Sequence, residues 1–148
     1  MQQIYNLIET FPDTAKVWVY HNQGAIPTAI QPAVQARLDE FSQNWAAHGD
    51  KLYGGAVIIE DFFILIFVNE EKTIASGCSI DGSIQFLKKL ETEFNLSLFD
   101  RMHVVIEENG QKKNVHFADV NQHKGAIFFD PTVSTLGAYK SQWKKVIE

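Results

Sequence analysis

Residues 75–83 contain the only cysteine of the chain, Cys78, set among small residues. A thiol near the start of a helix is a candidate nucleophile, because the N-terminus of a helix lowers the pKa of a thiol. His48 could act as its base, and Gly77 and Gly82 would let backbone N–H groups reach a developing oxyanion. The alternative is that Cys78 is a small buried residue in a turn. Residue types alone do not decide between a catalytic and a structural cysteine.

The same segment could instead bind an anion or another small ligand. Ser76, Ser79 and Ser83 place hydroxyl groups around the start of the helix that follows, and Asp81 is the predicted N-cap of that helix. No lysine follows in the pattern Gly-x-x-x-x-Gly-Lys-Ser/Thr, here or elsewhere in the chain, so hydrolysis of a nucleoside triphosphate is not expected. A capped turn without any ligand is the alternative interpretation.

Two histidines form a third candidate site. An Asn-Gly pair at residues 109–110 predicts a tight β-hairpin, which places His103 directly opposite His116. Directly paired residues of a hairpin have Cβ atoms about 5 Å apart, close enough for both imidazoles to bind one metal ion. His123 or Asp119 could supply a third ligand. A solvated pair of histidines without metal is the alternative.

Length and composition define the class of protein. The 148 residues suit one domain spanning residues 1–148, and the net charge of −5 argues against a nucleic-acid partner. We expect no leader sequence, and no apolar run is long enough to span a bilayer. A single cysteine excludes an internal disulfide, which suits a reducing compartment. We therefore expect a cytoplasmic, single-domain protein, and no cofactor is indicated.

Apolar periodicity predicts an α+β fold. Strands are predicted at residues 16–21, 55–60, 62–68, 101–107, 111–117 and 126–129, and helices at residues 4–11, from 32 towards a C-cap at Gly49, from Asp81 to Asn95 and from 136 to 146. From residue 16 this is the ferredoxin-like order βαββαβ with an extra hairpin strand, a sheet order of 5-4-1-3-2 and flanking N- and C-terminal helices. The second face of its central strands needs cover, from the terminal helices or from a homodimer partner.

That topology brings several polar residues to one end of the sheet. Cys78 and His48 are predicted to lie there together, as the candidate catalytic pair. The predicted ligand-binding set around them is Ser76, Gly77, Ser79, Asp81, Trp45, Asn69 and Glu70. His21 and Arg101 fall at the opposite end.

Four short segments carry a family resemblance. Val17-Trp-Val-Tyr20, Phe41-x-x-x-Trp45-x-x-His48-Gly49, Ser76-Gly-Cys-Ser-Ile-Asp81 and Leu98-Phe-Asp-Arg101 resemble a family of small bacterial proteins, mainly from Bacteroidetes. The resemblance covers residues 16 to 117. Members are sometimes labelled ABC transporter ATPases, but this sequence lacks a P-loop, and Asn69 stands where a Walker B strand has its metal-binding aspartate. The resemblance implies that these motifs matter and implies no activity.

Three functions are predicted, in order of preference. The first is a non-enzymatic domain that binds a small ligand or a protein partner at the His48/Cys78 end of the sheet. The second is a thiol-dependent enzyme with Cys78 as nucleophile and His48 as base. The third is a metal-binding module on His103 and His116.

Overall fold

The structure, a computed structural model, describes residues 7–148 and contains both helices and strands. The strands are β1 (Lys16–His21), β2 (Ala46–Ala47), β3 (Asp50–Lys51), β4 (Tyr53–Ile59), β5 (Phe63–Asn69), β6 (His103–Glu108), β7 (Gln111–His116), β8 (Ile127–Phe129) and β9 (Lys144–Val146). The helices are α1 (Gln31–Asn44), α2 (Gly77–Phe94) and α3 (Leu136–Gln142), with a 3-10 helix at Phe117–Gln122. The α+β class is confirmed. Among residues 7–148 no helix is long and apolar enough to cross a membrane.

The helix predicted at residues 4–11 falls partly outside the described residues. Residues 7–9 are helical, and the prediction for residues 4–6 is not addressed.

A three-stranded antiparallel sheet, sheet A, forms the centre of the fold in the order β1-β5-β4. This is the order 1-3-2 predicted for these strands. The short connection at residues 60–62 joins β4 to β5 as a hairpin in which Ile59 lies opposite Phe63. Six consecutive residues of β5, 63–68, are buried. Because neighbouring side chains of a strand point to opposite faces, sheet A must be covered on both sides.

Helices cover one face of sheet A. Ile64, Ile66 and Val68 of β5 pack in one core cluster with Val34 and Leu38 of α1. Leu87 and Leu90 of α2 belong to the same cluster. The apolar stripes on the two helices are therefore explained by this shared core.

A second sheet, sheet B, covers the other face of sheet A. Its order is β7-β6-β8-β9, and all its pairs are antiparallel. Leu65 and Phe67 of β5 pack in one cluster with Val105 of β6 and Phe129 of β8. Leu136 of α3 also belongs to this cluster, so the C-terminal helix supplies part of the predicted cover. A homodimer partner is not required to cover this face.

The single sheet of order 5-4-1-3-2, and with it the ferredoxin-like topology, is not what the structure has. The fourth predicted strand, β6, does not pair with β1. It pairs with β7 and β8 and is therefore part of sheet B. The physical reason is that β6 is apolar on both faces. Val105 packs against sheet A, while Ile106 packs against Ala126 and Ile147 on the far side of sheet B. In sheet B both faces of β6 are covered by apolar residues.

Two further details differ from the predictions. Met102 and Phe117 have apolar side chains that predict a place on the core face of the β6–β7 hairpin, but they are 52% and 54% exposed. The predicted closing helix ends at Gln142, and residues 144–146 pair with β8 as a strand. Trp143 ends that helix and is buried in the core between the sheets, which turns the chain back towards sheet B.

Replacing Val105 by threonine tests the two-sheet arrangement. Threonine has nearly the same shape as valine, but its hydroxyl would lie in the apolar core between the sheets, which costs about 1–3 kcal/mol of the free energy of unfolding. Gln111→Thr, at an exposed position on the paired strand, is the control. Urea unfolding should show a loss for Val105→Thr and little change for Gln111→Thr. Equal stability of the two variants would contradict the burial of Val105.

Candidate functional site

The first part of the site is the segment where α1 ends. The helix stops at Asn44, and the C-cap residue Trp45 is extended, with φ −70° and ψ 130°. The predicted C-cap at Gly49 is therefore wrong. His48 and Gly49 form the turn between β2 and β3, and both have positive φ, 52° and 83°. Positive φ at both central positions is typical of a type I′ hairpin turn, and glycine adopts this conformation without strain.

The second part is the first turn of α2. Ser76 is the N-cap: its hydroxyl accepts from the Ser79 N–H at 3.1 Å, and the Ser79 hydroxyl accepts from the Ser76 N–H at 2.8 Å. This reciprocal capping box begins the helix before Asp81, so the predicted cap at Asp81 is wrong. Cys78 is the second residue of the helix and is exposed. A buried structural cysteine is thereby excluded.

One buried hydrogen bond joins the two parts. The indole Nε1 of Trp45 donates to the backbone carbonyl of Ser79 at 2.8 Å. The Trp45 side chain lies over Gly54 of β4, where an added Cβ would come within 3.3 Å of the indole ring. The absence of a side chain at Gly54 therefore gives Trp45 the room to reach α2. Trp45 and Ser79, which are 34 positions apart in the sequence, meet through this bond.

Between α1 and α2 lies a cavity of 580 Å³, the helix groove. Its floor is aromatic: the rings of Phe41 and Phe86 stack with centroids 4.5 Å apart and an angle of 14°, and Trp45 lies 5.2 Å from Phe41. The groove is lined by Arg37, Glu40, Phe41, Asn44, Trp45, Ala46, His48, Ser76, Cys78, Ser79, Gly82, Phe86, Lys89, Leu90 and Glu93. His48 and Cys78 thus line one cavity, together with Trp45, Ser76 and Ser79 of the predicted set.

Charged residues form the rim of the groove. Arg37 of α1 binds Glu93 of α2 through two nitrogens, with Nε 3.0 Å from Oε1 and Nη2 2.8 Å from Oε2. These hydrogen bonds lower the pKa of the Glu93 carboxyl. Both side chains are exposed, so the pair contributes little to stability. It does connect the two helices across the rim, beside Lys89 and Glu40.

Four residues of the predicted set do not line the groove. Gly77 and Asp81 are exposed near the start of α2 but outside the lining. Asn69 accepts a hydrogen bond from the Glu71 N–H at 3.1 Å. Glu70 accepts from the Ala75 N–H at 2.7 Å and forms an ion pair with Lys16 at 3.1 Å. Asn69 and Glu70 therefore organise the loop that leads into α2.

The histidine pair lies on sheet B, away from the groove. His103 faces His116 in the predicted register, and their ring centroids are 5.7 Å apart. The Nδ1 atom of His103 contacts Asp100 Oδ2 at 2.8 Å, and Nδ1 of His116 accepts from the Ala118 N–H at 3.1 Å.

Neither predicted third ligand is placed to complete a metal site. His123 binds Glu108 at 3.1 Å, at the opposite end of β6 from His103. Five residues of a strand separate these ends by about 16 Å. Asp119 accepts a hydrogen bond from Gln122 at 3.4 Å. Within residues 7–148, no group of three or more His, Cys, Asp or Glu side chains has the arrangement to hold a metal ion.

The rim residues Arg37, Glu93 and Lys89 were not predicted from the sequence. The contact of Arg37 with Glu93 joins two helices and has no signal in local spacing, and Glu93 looks like an ordinary solvated charge. The spacing of Phe41 and Phe86 indicates apolar helix positions, but only the structure shows that they line an open cavity.

The chain was also compared with known proteins. No protein-family model, curated protein or solved structure matches it. Its function must therefore be inferred from the chemistry of the groove.

Replacing Trp45 by phenylalanine tests the link between the two parts of the site. The variant loses the bond to the Ser79 carbonyl, and we expect a loss of about 1–2 kcal/mol in stability. We also expect faster amide hydrogen exchange in the first turn of α2. Trp143→Phe is a matched control, because the buried Trp143 Nε1 has no hydrogen-bond partner among the described residues. Equal exchange in α2 for both variants would show that the bond does not hold this turn.

Proposed function

We propose that this protein is a non-enzymatic binding domain whose helix groove holds a small organic anion with a flat apolar body. The observation that carries this proposal is the combination of a stacked aromatic floor and a charged rim in one cavity. The protein-partner alternative receives less support, because the groove is concave and bounded on both sides by helices.

The size of the groove supports a small ligand. Its 580 Å³ lies within the range of about 300–1,000 Å³ that is usual for small-molecule sites. Such sites combine apolar walls with a few polar groups that orient the ligand. Here Phe41, Phe86 and Trp45 offer flat apolar surfaces, and the adjacent rim supplies the polar groups.

The charge distribution favours a negative group on the ligand. Arg37 and Glu93 already neutralise each other, whereas Lys89 forms no ion pair with any residue in the described range 7–148. The first turn of α2 also faces the groove through Cys78 and Ser79, and the N-terminus of a helix favours a negative charge. Glu40, on the α1 side of the groove, carries a charge opposite to that of Lys89.

Gly82 offers a way to close the groove without disturbing the fold. A Cβ added at Gly82 would meet no atom within 4 Å, so a larger side chain has open space before it. Gly82 lies inside α2, where leucine is a better helix former than glycine. Gly82→Leu should therefore fill the groove and keep the helix. Gln85→Leu adds the same side chain at an exposed position of α2 outside the groove.

The probe is 8-anilinonaphthalene-1-sulfonate, an anion with a flat aromatic body. We expect saturable fluorescence enhancement at one site in the native protein and in Gln85→Leu. Gly82→Leu should weaken binding at least tenfold, because its side chain occupies the same space. Native near-UV circular dichroism must be retained in all three proteins, since partly unfolded states also bind this dye. Unchanged affinity in Gly82→Leu, or no binding to the native protein, would contradict the proposal.

A second candidate function is a thiol-dependent enzyme. It is favoured by one observation, that the exposed Cys78 and His48 line the same cavity. In such an enzyme the imidazole would take the thiol proton, and the thiolate would attack an electrophile held on the aromatic floor.

Alkylation by iodoacetamide at pH 6 tests this candidate. A free thiol with the usual pKa of about 8.5 is almost fully protonated at that pH and reacts slowly. If His48 activates Cys78, the native protein should react at least tenfold faster than His48→Ala. Unfolding in urea should slow the native protein to the rate of the variant. Equal rates for the native protein and His48→Ala would exclude the thiol–imidazole pair.

A further inference from the structure

The outer edge of β1 is a second polar site, separate from the helix groove. The Asn22 N–H donates to the Phe62 carbonyl at 2.9 Å, which sets the alternation of hydrogen bonds between β1 and β5. Even-numbered residues of β1 therefore bond to β5. Val17, Val19 and His21 direct their N–H and C=O groups to the opposite edge, which no strand of sheet B pairs with.

This edge is paired at both ends and open in the middle. At one end the Val17 N–H donates to the Ser134 carbonyl at 3.0 Å. At the other end the Gln23 N–H donates to the Ser97 carbonyl at 3.2 Å. Between them, no backbone hydrogen bond joins the outward groups of Val19 and His21 to any residue from 7 to 148. The gap is two pairing positions long.

The gap has a local cause. Lys16 lies opposite Thr135, so a straight continuation of that segment would place Thr132 opposite Val19. Instead, Asp130 Oδ1 accepts hydrogen bonds from the Thr132 N–H at 2.8 Å and from its hydroxyl at 2.6 Å. This turn, with Pro131 inside it, carries the chain away from the edge.

A recess of 360 Å³ lies along the open edge, and we call it the β1 recess. Val19, His21, Asp100, Arg101, His103 and Thr132 are among the residues that line it. Arg101 forms no ion pair with any described residue, while Asp100 is occupied by the Met102 N–H, His103 and Gln23. Arg101 is therefore a cation of the recess that is free to bind an anionic group, whereas the Asp100 carboxylate already has hydrogen-bond partners.

His21 of β1 also lines the recess and is partly buried. Its Nε2 is buried without a hydrogen-bond partner among the described residues. Burial lowers the pKa of His21, and His103 lowers it further, against the opposing effect of Asp100. The imidazole is therefore neutral near pH 7, with one ring nitrogen a donor and the other an acceptor.

We propose that the β1 recess binds the last residues of an extended peptide as an added strand, with the free C-terminal carboxylate at Arg101. Only a peptide backbone repeats N–H and C=O groups at the spacing that Val19 and His21 present. Three residues of a strand span about 10 Å and would fill the two-position gap. A carboxylate can form a charge-assisted pair with Arg101, which has no ion-pair partner among the described residues, and a neutral amide end cannot.

The test uses a synthetic peptide, acetyl-Val-Thr-Val with a free carboxylate, titrated into the ¹⁵N-labelled protein. Val and Thr favour the extended conformation. We expect saturable shifts centred on the Val19 and His21 amides. The C-terminal amide of the same peptide should bind about tenfold more weakly, the effect of one charge-assisted hydrogen bond. A peptide N-methylated at its first and third residues should not bind, because it lacks the donors.

Protein variants distinguish the backbone contact at Val19 from the carboxylate contact at Arg101. Val19→Pro removes the outward N–H and no hydrogen bond to β5, and proline is accepted on an edge strand. It should abolish binding, whereas Val19→Ile should preserve it. Arg101→Gln should bind the acid and the amide equally. If Val19→Pro does not fold, the N-methylated peptide still tests the same donors. Shifts confined to residues of the helix groove, or equal binding of the N-methylated peptide, would overturn the proposal.

Discussion

Strand β5 is buried on both faces along residues 63–68, and the rest of the fold depends on covering these two faces. One face needs an apolar layer from α1 and α2, and the other needs a layer from sheet B and α3. Both proposed sites result from the way these two faces are covered. The helix groove exists because two helices cover one face side by side, and the β1 recess exists because β6 joins sheet B instead of pairing with β1.

The helix groove also depends on where α1 stops. If the helix continued to Gly49, Trp45 would lie one turn inside it. The helical backbone would then set the direction of the indole ring. The extended backbone at Trp45 lets the indole reach the Ser79 carbonyl, and the β2–β3 turn then carries His48 to the groove. Gly54 completes this arrangement, since a side chain there would collide with the Phe67 carbonyl oxygen, 2.4 Å from the added Cβ.

Local patterns in the sequence were enough to predict several elements. The Asn109-Gly110 turn and the pairing of His103 with His116 were predicted correctly, because a two-residue turn sets the register of its hairpin. The strand at residues 16–21 and the order of the three strands in sheet A were also correct. The start of α2 was predicted wrongly, because Ser76 and Asp81 are both good N-cap residues. Only Ser76 has a serine three positions later, which completes the capping box.

The sequence by itself therefore determined the α+β class, the order of the strands in sheet A and the register of the β6–β7 hairpin. Turn residues and alternating apolar residues act over a few positions, so they can be read along the chain. Only the tertiary structure decided that β6 joins sheet B, that Arg37 meets Glu93 and that the edge of β1 stays open. These outcomes depend on which apolar surfaces bury one another across long separations in the chain, and no local pattern specifies that choice.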